Sequence, residues 1–419
     1  MVSEDALDIG VVGLGYVGLG LALALGQHFN TVGYDTDEQR IKRLKQRQDD
    51  HGEVGEDVFL AAQQLVFTTR SADIGSCNVF IIAMSTPVDG HNAPDLSRVI
   101  EAAQVVGLYL VAGDTVVLES TVYPGFTERD FAQTLEQASG LRASVDFKLG
   151  YSPERINPAD VAHSVTLVTK VISAMDETTL CLLRRIYGKI ITAGIVEAQN
   201  IKTAELSKLI ENTQRDINIA FINEMRLLAN SLELDFDQVL ACARSKWNFV
   251  DFRPGLVGGH CVAVDPYYLI HSQKALAVPS TMTEAARFTN EAMVTCMAAE
   301  FIKKLTLAGL QVKTLKVLVI GITFKPDCPD CRNSKALAVV EELQTFGLEP
   351  DIYDPLVSPA ALSLSCPLHQ RLPTMIYDAI LLLVPHQRAL NEIRQSGHQL
   401  LNSHGVFHAI NHDHQELFQ

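Results

Sequence analysis

The 419-residue chain has no surplus of positive charge. Its 34 Lys and Arg stand against 49 Asp and Glu, for a formal charge of −15. That argues against non-specific attachment to nucleic acid or to an anionic membrane. An anionic small ligand stays compatible, since a local pocket can be basic on an acidic protein. The chain also lacks any apolar run of membrane-spanning length; "VLVIGITF" and "AILLLVP" are strand-sized. "MVSEDALDIGVVGLG" has neither a basic n-region nor a cleavable apolar core, so no signal peptide is expected. A disulfide framework is missing as well. Cys77, Cys181, Cys242, Cys261, Cys296, Cys328, Cys331 and Cys366 are scattered, and a chain this long does not need cross-links. A reducing cytoplasm is the simple expectation. Metal motifs are scarce too. Cys328 and Cys331 form a single CxxC in "KPDCPDCRN", with no second pair and a Pro-Asp that favours a turn. His404, His408, His412 and His414 read as a solvated tail, and no metal site is expected. What is abundant is apolar content, 47% against 20% charged, enough for two or three packed domains.

The chain opens as strand, glycine turn, helix. "DIGVVGLG" is an apolar run ending in glycines, and "YVGLGLALALGQHF" continues with helical periodicity. "NTVGYD" is a second strand ending in an acid, followed by the polar-faced helix "DEQRIKRLKQRQ". "NVFIIAMSTP", "TVVLESTVYPG" and "FKLGYSPERINP" are further strands running into loops of Ser, Thr, Pro or Gly. Such alternation implies a parallel sheet covered on both faces. From about residue 199 the texture changes. "AQNIKTAELSKLIENTQRDINIAFINEMRLLANSLE" has no Pro or Gly and predicts one long helix, a spine and candidate dimer surface. More helix follows at "STMTEAARFTNEAMVTCMAAEFIKKLTLAG". Then "KVLVIGITFKPDCPDCRNSKALAVVEELQTFGLEPDIYDP" restarts the opening pattern, with an acid at Asp354, and "MIYDAILLLVPH" and "GVFHAIN" add strands. The expected architecture is α/β: two Rossmann-like doubly wound parallel-sheet domains, residues 1–198 and 311–419, joined by a helical domain, 199–310.

Gly13, Gly15 and Gly18 match G-x-G-x-x-G, with Asp35 at the end of the next strand. Gly13 permits the tight turn, Gly15 lets a pyrophosphate approach the backbone, and Gly18 lets helix and strand pack closely. The helix N-terminus supplies amides and a positive dipole end for phosphate. Asp35 suits the ribose hydroxyls and would repel a 2′-phosphate, which favours NAD over NADP. Ser85, Thr86 and Thr121 sit in loops at the C-terminal ends of later strands, the edge where open α/β sheets bind ligands; there a hydroxyl could contact the nicotinamide half or simply cap a helix. Tyr16, Val17 and Arg40 complete the candidate cofactor contacts.

"GLGYVG", "ESTVYPGFTE", "YSPERINP", "KTAELSKLIENTQRDINIAFINE", "GLVGGHCVAVDPYYL" and "FKPDCPDCRNSKA" stand in an order that resembles the UDP-glucose/GDP-mannose dehydrogenase family from end to end. "ENTQRDINIAFINE", "SKWNF" and "RPGLVGGHC" look most like the bacterial branch acting on UDP-N-acetyl-glucosamine or UDP-N-acetyl-galactosamine for surface polysaccharide. The resemblance implies a four-electron oxidation of a sugar C6 alcohol to a carboxylate, with two NAD+ reduced and an enzyme thioester on the way. It places Cys261 at the nucleophile position. A soft thiolate adds readily to an aldehyde, and the glycines before it allow close approach. Without the motif, Cys261 reads as a buried inert thiol. Asp265 matches the family's aspartate and Lys208 its catalytic lysine; Asn212 lies one helical turn from Lys208. Glu154 matches the glutamate of thioester hydrolysis, with Arg155 beside it, and Thr121 a hydroxyl orienting the water. Lys325 and Arg332 are candidate phosphate contacts of a UDP-binding domain. Arg253 and Gly258 are further substrate candidates, Arg253 as a residue donated across a homodimer or larger assembly.

Departures from the family pattern occur at Ala409 and Asn411, where an acid and a cation are common, at Gly20, where proline is common, and at Met84. The rival readings are a UDP-glucose or UDP-ManNAc enzyme, a simple two-electron hydroxyacid dehydrogenase, which would share the first domain and helical middle but need no second α/β unit, and a non-catalytic NAD-binding scaffold that kept the fold. The last two would need no cysteine nucleophile.

Overall fold

In the central strands of both sheets every residue is buried, and neighbours in sequence feed opposite cores. That is the pattern of strands covered on two faces. The computed structural model describes residues 7–50, 54–156, 164–359, 365–396 and 400–410. The chain divides into two units, Met1–Glu211 with Tyr267–Val278, and Asn212–Pro266 with Pro279–Gln419. Asn411, His412 and His414 lie outside the described residues.

The first unit holds β1 (Asp8–Val12), β2 (Asn30–Tyr34), β3 (Leu65–Thr68), β4 (Val79–Ile82), β5 (Thr115–Leu118), β6 (Lys148–Tyr151), β7 (Lys170–Ala174) and β8 (Ile195–Glu197). Their order is β3-β2-β1-β4-β5-β6-β7-β8. β1 to β6 pair in parallel, Ile9 lying between Thr31 and Val79. β7 runs antiparallel to β6, with Gly150 facing Ala174, because the chain reverses there instead of crossing over. This one join departs from the wholly parallel sheet expected. The helices are α1 (Tyr16–Leu25), α2 (Glu38–Lys45), α3 (Glu56–Ala61), α4 (Ser97–Gly107), α5 (Ala132–Ser139) and α6 (Glu177–Ile190). Val79 and Ile81 enter one core with Leu19 and Leu23 of α1 and Leu183 and Ile186 of α6. Phe80 and Ile82 enter the other with Val99 and Val106 of α4 and Leu135 of α5. Ligand loops therefore gather at the C-terminal ends of β1, β4, β5 and β6, beside the reversal of strand order between β1 and β4.

The glycine-free stretch forms α7 (Ile201–Ser231), 31 residues long. It is followed by α8 (Phe236–Arg244), α9 (Asp265–Ala275) and α10 (Thr281–Leu307). The second sheet holds β9 (Val317–Ile320), β10 (Asp351–Tyr353), β11 (Leu368–His369), β12 (Tyr377–Leu382) and β13 (Leu401–Ala409), with α11 (Lys335–Thr345) and α12 (Gln387–Ser396). It is parallel throughout, in the order β11-β10-β9-β12-β13. Met293, Met297, Phe301 and Leu305, one helical turn apart, bury a stripe of α10 against Val317, Val319 and α11. α12 covers the opposite face with Leu390 and Ile393.

The histidine-rich end is not simply a solvated tail. His404 is exposed, but His408 on β13 is buried, stacked on Phe301 with ring centroids 6.2 Å apart. Lys304 Nζ lies 2.8 Å from its Nδ1, and Glu300 Oε2 lies 3.6 Å from its Nε2. The cause is strand alternation, which turns His408 toward α10. Burial is the first cause that pushes its pKa down, to about 4.

Candidate active site

The glycine fingerprint serves three different purposes. Gly13 has φ 89°, and its N–H donates to the Tyr34 carbonyl at 2.9 Å. A Cβ on Gly18 would fall 1.8 Å from the Gly13 oxygen, so any side chain there would push helix from strand. A Cβ on Gly15 would meet nothing within 4 Å. Nothing in the fold itself demands glycine at that position; the open space lies at the N-cap of α1, whose first turn holds no acidic residue. Such a cradle fits an anionic pyrophosphate. Asp35 is partly exposed; one carboxylate oxygen accepts the Leu14 N–H at 2.8 Å and the other the Asp37 N–H at 3.0 Å. Arg40 is buried and donates from Nε to the Leu14 carbonyl at 3.1 Å and from Nη1 to Asp49 at 2.8 Å. Asp35 and Arg40 therefore grip Leu14 from both sides and hold the turn. Tyr16 and Val17 are half-buried at the start of α1. These residues fit a dinucleotide.

Two further loops of the same unit carry hydroxyls. Ser85 is exposed and accepts from Arg98 at 2.8 Å. The Tyr268 hydroxyl lies 3.1 Å from both the Thr86 and Pro87 carbonyls and so ties that loop to α9. Thr121 is half-buried just after β5. Its loop is held by buried Glu205 of α7, which accepts the Gly125 N–H at 2.5 Å and the Thr127 N–H at 3.0 Å. Burial pushes the Glu205 carboxyl up to about 6 against those hydrogen bonds. Met84 fills the space beside Gly13, its sulfur 2.6 Å from where a Cβ would sit. A Cβ on Gly20 would make only ordinary contact with Val165, so the packing there does not itself demand glycine.

Glu154 and Lys208 meet. The ammonium lies 3.8 Å from Glu154 and 3.9 Å from Glu211, and Arg155 pairs with Glu211 at 3.0 Å. Glu154 also accepts the Ile156 N–H. Burial raises its carboxyl above the usual range, and Lys208 opposes the rise. A buried cluster stands behind it. Lys170 contacts Glu119 at 2.5 Å and the Pro153 carbonyl at 3.5 Å, and the Tyr187 hydroxyl donates to Glu119. Lys170 on β7 thereby ties the end of β5, which leads to Thr121, to the end of β6, which leads to Glu154. Breaking one half of so buried a pair costs about 3–5 kcal/mol.

In the second unit the Asn212 amide donates to Asp265 at 2.6 Å, and its carbonyl accepts from Arg215 at 3.1 Å. Both contacts agree with one orientation of the amide. Asn212 and Asp265 are buried, while Cys261 is half-buried. The Cys261 carbonyl accepts the Asp265 N–H at 2.9 Å and the Val264 N–H at 3.0 Å, so thiol and carboxylate sit on one tight turn entering α9. Gly258 is not freed for a ligand alone: a Cβ there would lie 2.5 Å from the Asn333 carbonyl. Arg253 is exposed and pairs with Asp237 at 3.3 Å. Lys325 lies over the Phe324 ring, 5.7 Å from its centroid, and Arg332 is bound through Nη2 to Asp330 at 2.7 Å. Cys331 of the CxxC has its thiol pushed up to about 12, first by burial, then by Asp354 and Asp330. That keeps it protonated and chemically quiet. Among the described residues no three His, Cys, Asp or Glu side chains converge as a metal would require, and no helix is long and apolar enough to cross a membrane.

Sequence reasoning missed Glu119, Lys170, Tyr187, Glu205, Glu211 and Arg215. Glu211 stood at i+3 from Lys208, a spacing that pairs charges on a helix. Arg215 likewise stood at i+3 from Asn212, while Glu119, Lys170, Tyr187 and Glu205 meet their partners across long stretches of chain and carried no local signal.

Comparison with known proteins gives matches along nearly the whole chain. Residues 7–191 match the NAD binding domain of the UDP-glucose/GDP-mannose dehydrogenase family, 202–292 its central domain and 318–411 its UDP binding domain. The chain is 42% identical over 392 residues to UDP-N-acetyl-D-glucosamine 6-dehydrogenase of Pseudomonas aeruginosa, covering 92% of each. It is 41% identical to the protein of the same name from Salmonella typhi, covering 93% of this chain and 92% of that one. A solved structure, UDP-D-ManNAc dehydrogenase from Pyrococcus horikoshii, superposes with a TM-score of 0.86 at 30% identity, covering 97% of this chain and 96% of that one.

Proposed function

Because the chain belongs to the UDP-glucose/GDP-mannose dehydrogenase family and is an NAD-dependent nucleotide-sugar dehydrogenase, we propose that it oxidises C6 of a UDP-N-acetylhexosamine, foremost UDP-N-acetyl-D-glucosamine, to the uronic acid through a thioester on Cys261. The sugar is read from two relatives, of 42% and 41% identity, whose names state it. The product would serve surface polysaccharide synthesis. The observation that carries the chemistry is the Asn212–Asp265 contact of 2.6 Å on the turn that begins at the Cys261 carbonyl. It fixes a buried carboxylate four residues after a half-buried thiol, on the same turn.

NAD+, when bound, would supply the hydride acceptor, a first molecule for the alcohol and a second for the thiohemiacetal. The chain's own residues do the rest. The Lys208 ammonium stabilises negative charge developing on the C6 oxygen. Asp265, held by Asn212, orients water and relays protons. The Cys261 thiolate forms a bond to the aldehyde carbon, the carbonyl electron pair moves to oxygen, and loss of hydride leaves a thioester. Water then adds to the thioester carbon, Glu154 takes its proton, and the thiolate departs. A carboxyl held above its usual pKa by burial is a stronger base for that step than an exposed one. Thr121 orients the water. Gly13, Gly15, Tyr16, Val17, Gly18, Asp35 and Arg40 would hold or shape the dinucleotide site, with Ser85, Thr86 and Thr121 at its nicotinamide end. Lys325, Arg332, Arg253 and Gly258 are assigned to the UDP-sugar, with Arg155 beside Glu154.

Leu206, Ile210, Phe221 and Leu228 are large apolar residues exposed along α7, and a second copy of the chain is the proposed cover. Eight free thiols fit a reducing cytoplasm.

The test is stoichiometry with a panel of UDP-sugars and GDP-mannose. Two NADH per UDP-N-acetylglucosamine, and none of the acid with Cys261→Ser, are expected. Glu154→Gln should accumulate a sugar-nucleotide adduct on Cys261, visible by intact-protein mass spectrometry. One NADH per sugar, or acid formed by Cys261→Ser at the wild-type rate, would remove the thioester mechanism. Preference for UDP-N-acetylmannosamine would follow the Pyrococcus relative instead.

A further inference from the structure

The three residues ahead of Cys261 are built against the loop that follows β9. The Gly259 N–H donates to the Asn333 carbonyl at 3.1 Å, and the Asn333 side-chain amide donates back to the Gly259 carbonyl at 2.8 Å. Asn333 can face both ways because its φ is 51°, a left-handed conformation that asparagine tolerates better than most side chains. A Cβ on Gly258 would lie 2.5 Å from the Asn333 oxygen, and one on Gly259, at φ 78°, would lie 2.7 Å from the Phe324 ring. The two glycines are thus required by contact with this loop. His260 extends the contact: its Nδ1 lies 3.9 Å from Asp330, which also holds the Arg332 guanidinium.

The partner loop is itself firmly held. The Phe324 N–H donates to the Asp330 carbonyl at 3.1 Å, and Thr323 Oγ1 donates to the Lys325 carbonyl at 2.9 Å. The Asp327 N–H donates to Nδ1 of buried His386 at 2.9 Å, and the Asp327 carboxylate accepts the Gln387 N–H at the start of α12. Lys325 and Arg332, the cations assigned to the nucleotide's phosphates, project from the same segment that clamps Gly259. A shift of this loop on phosphate binding would be transmitted to the residue two before the thiol through two short hydrogen bonds and a ring contact.

We propose that Asn333 is a positioning residue that couples the protein's grip on the nucleotide to the placement of the Cys261 thiol. This rests on the reading of Cys261 as nucleophile and of Lys325 and Arg332 as phosphate contacts. The side-chain half of the clamp is the part a substitution can remove. Asn333→Gly keeps the left-handed backbone and the main-chain carbonyl but deletes the amide. Asn333→Asp keeps the shape but replaces the donor with a second acceptor facing the Gly259 carbonyl.

The experiment uses the full-length enzyme with UDP as probe, because UDP lacks the sugar and leaves the thiol open to a small alkylating reagent. Three quantities are measured on wild type, Asn333→Gly and Asn333→Asp: UDP affinity by calorimetry, steady-state kcat and KM with the sugar nucleotide, and the rate at which iodoacetamide alkylates Cys261 with and without UDP. In the wild type UDP should change the alkylation rate. In both variants UDP affinity should stay within about threefold, the UDP effect on alkylation should vanish, and kcat should fall roughly 10- to 100-fold, the scale of an ångström-sized misplacement of a reacting group. Wild-type kcat together with an intact UDP effect in Asn333→Gly overturns the proposal. So does loss of UDP affinity with unchanged alkylation, which would make Asn333 part of the phosphate grip alone. A lowered unfolding temperature with all three quantities lost in both variants also overturns it, in favour of a structural role. Cys261→Ser run in parallel separates the readings: if it still makes acid, the thioester mechanism fails, whereas if it is inactive and Asn333→Gly is normal, only the coupling fails.

Discussion

Both sheets place an acid at the end of their second strand, and both use it for the same local purpose. Asp35 accepts the Leu14 N–H at 2.8 Å, while Gly13, at φ 89°, donates to the Tyr34 carbonyl at 2.9 Å. Asp354 accepts the Ile322 N–H at 2.8 Å, while Gly321, at φ 79°, donates to the Tyr353 carbonyl at 2.9 Å. The two turns differ in what covers the acid. Asp354 is fully buried, also accepts the Leu356 N–H at 2.9 Å, and lies 3.1 Å from His386 Nε2. The His386 Nδ1 accepts a backbone N–H, so Nε2 carries the proton and donates to the carboxylate. Those hydrogen bonds and the His386 partner hold the Asp354 carboxyl below its usual pKa despite its burial. Asp35 has no such cover and remains partly exposed. The acid is first a pin for the turn. It can read a ribose only where an uncovered carboxylate stands beside a glycine whose missing Cβ opens onto space.

The largest expected effect would break that contrast directly. Asp354→Ala leaves two backbone N–H groups and a buried imidazole without their acceptor, and should cost about 3–5 kcal/mol. Asp35→Ala removes a half-exposed pin and should cost about 1–2 kcal/mol, its main result being a narrower preference for NAD+ over NADP+. Urea unfolding of both variants, with kcat/KM for each cofactor, decides the matter; equal losses of stability with unchanged cofactor preference would erase the distinction.

A smaller effect separates the glycines. A Cβ on Gly321 would sit 2.1 Å from the Val384 carbonyl, with φ already positive, so Gly321→Ala should cost about 1–3 kcal/mol of overpacking and strain. Gly15→Ala, pointing into open space, should leave the thermal midpoint unchanged and weaken NAD+ binding. A destabilised Gly15→Ala would mean that the position is structural.

The smallest effect concerns pH. Among the described residues both buried histidines, His386 and His408, belong to the second unit. The folded-state pKa of His408 is depressed to about 4. As pH falls from about 6.5 toward 4, the unfolded chain takes up a proton that the folded chain refuses, and stability is lost across that window. Glu300, held down to about 2 by His408 and Arg226 against its burial, adds a loss between about 4.5 and 2. His408→Gln should flatten the upper part of this decline in a thermal melt series from pH 7 to pH 4, and an unchanged slope there would show that His408 does not couple to folding.

Much of this molecule was legible in one dimension. Strand, glycine turn, helix and acid recur at residues 8–35 and 317–354 because each part is dictated by neighbours within a few residues. The 31-residue α7 was visible because helical spacing persists without Pro or Gly. The catalytic candidates were legible through the family resemblance, and Lys208 and Asn212 fall one turn apart on one helix whatever surrounds them. The antiparallel turn of β7 was not legible, since strand direction depends on how the chain returns and not on its apolar content. His408 was misread because a single histidine on a strand carries no sign of which face will be covered.

The sequence by itself determined where backbone conformation is special and which side chains are apolar, for these follow from covalent sterics and periodicity. It therefore determined two Rossmann-like sheets, the dinucleotide turn and a thiol on a glycine loop. Only the tertiary structure decided which polar groups lose their water. Glu119, Lys170 and Tyr187 come together from three separate segments, and the buried Asn212 amide reaches Asp265 across 53 residues. A buried charge or amide is stable only with its partner in place, and that partner is chosen by the packing of distant elements, which no local stretch of sequence records.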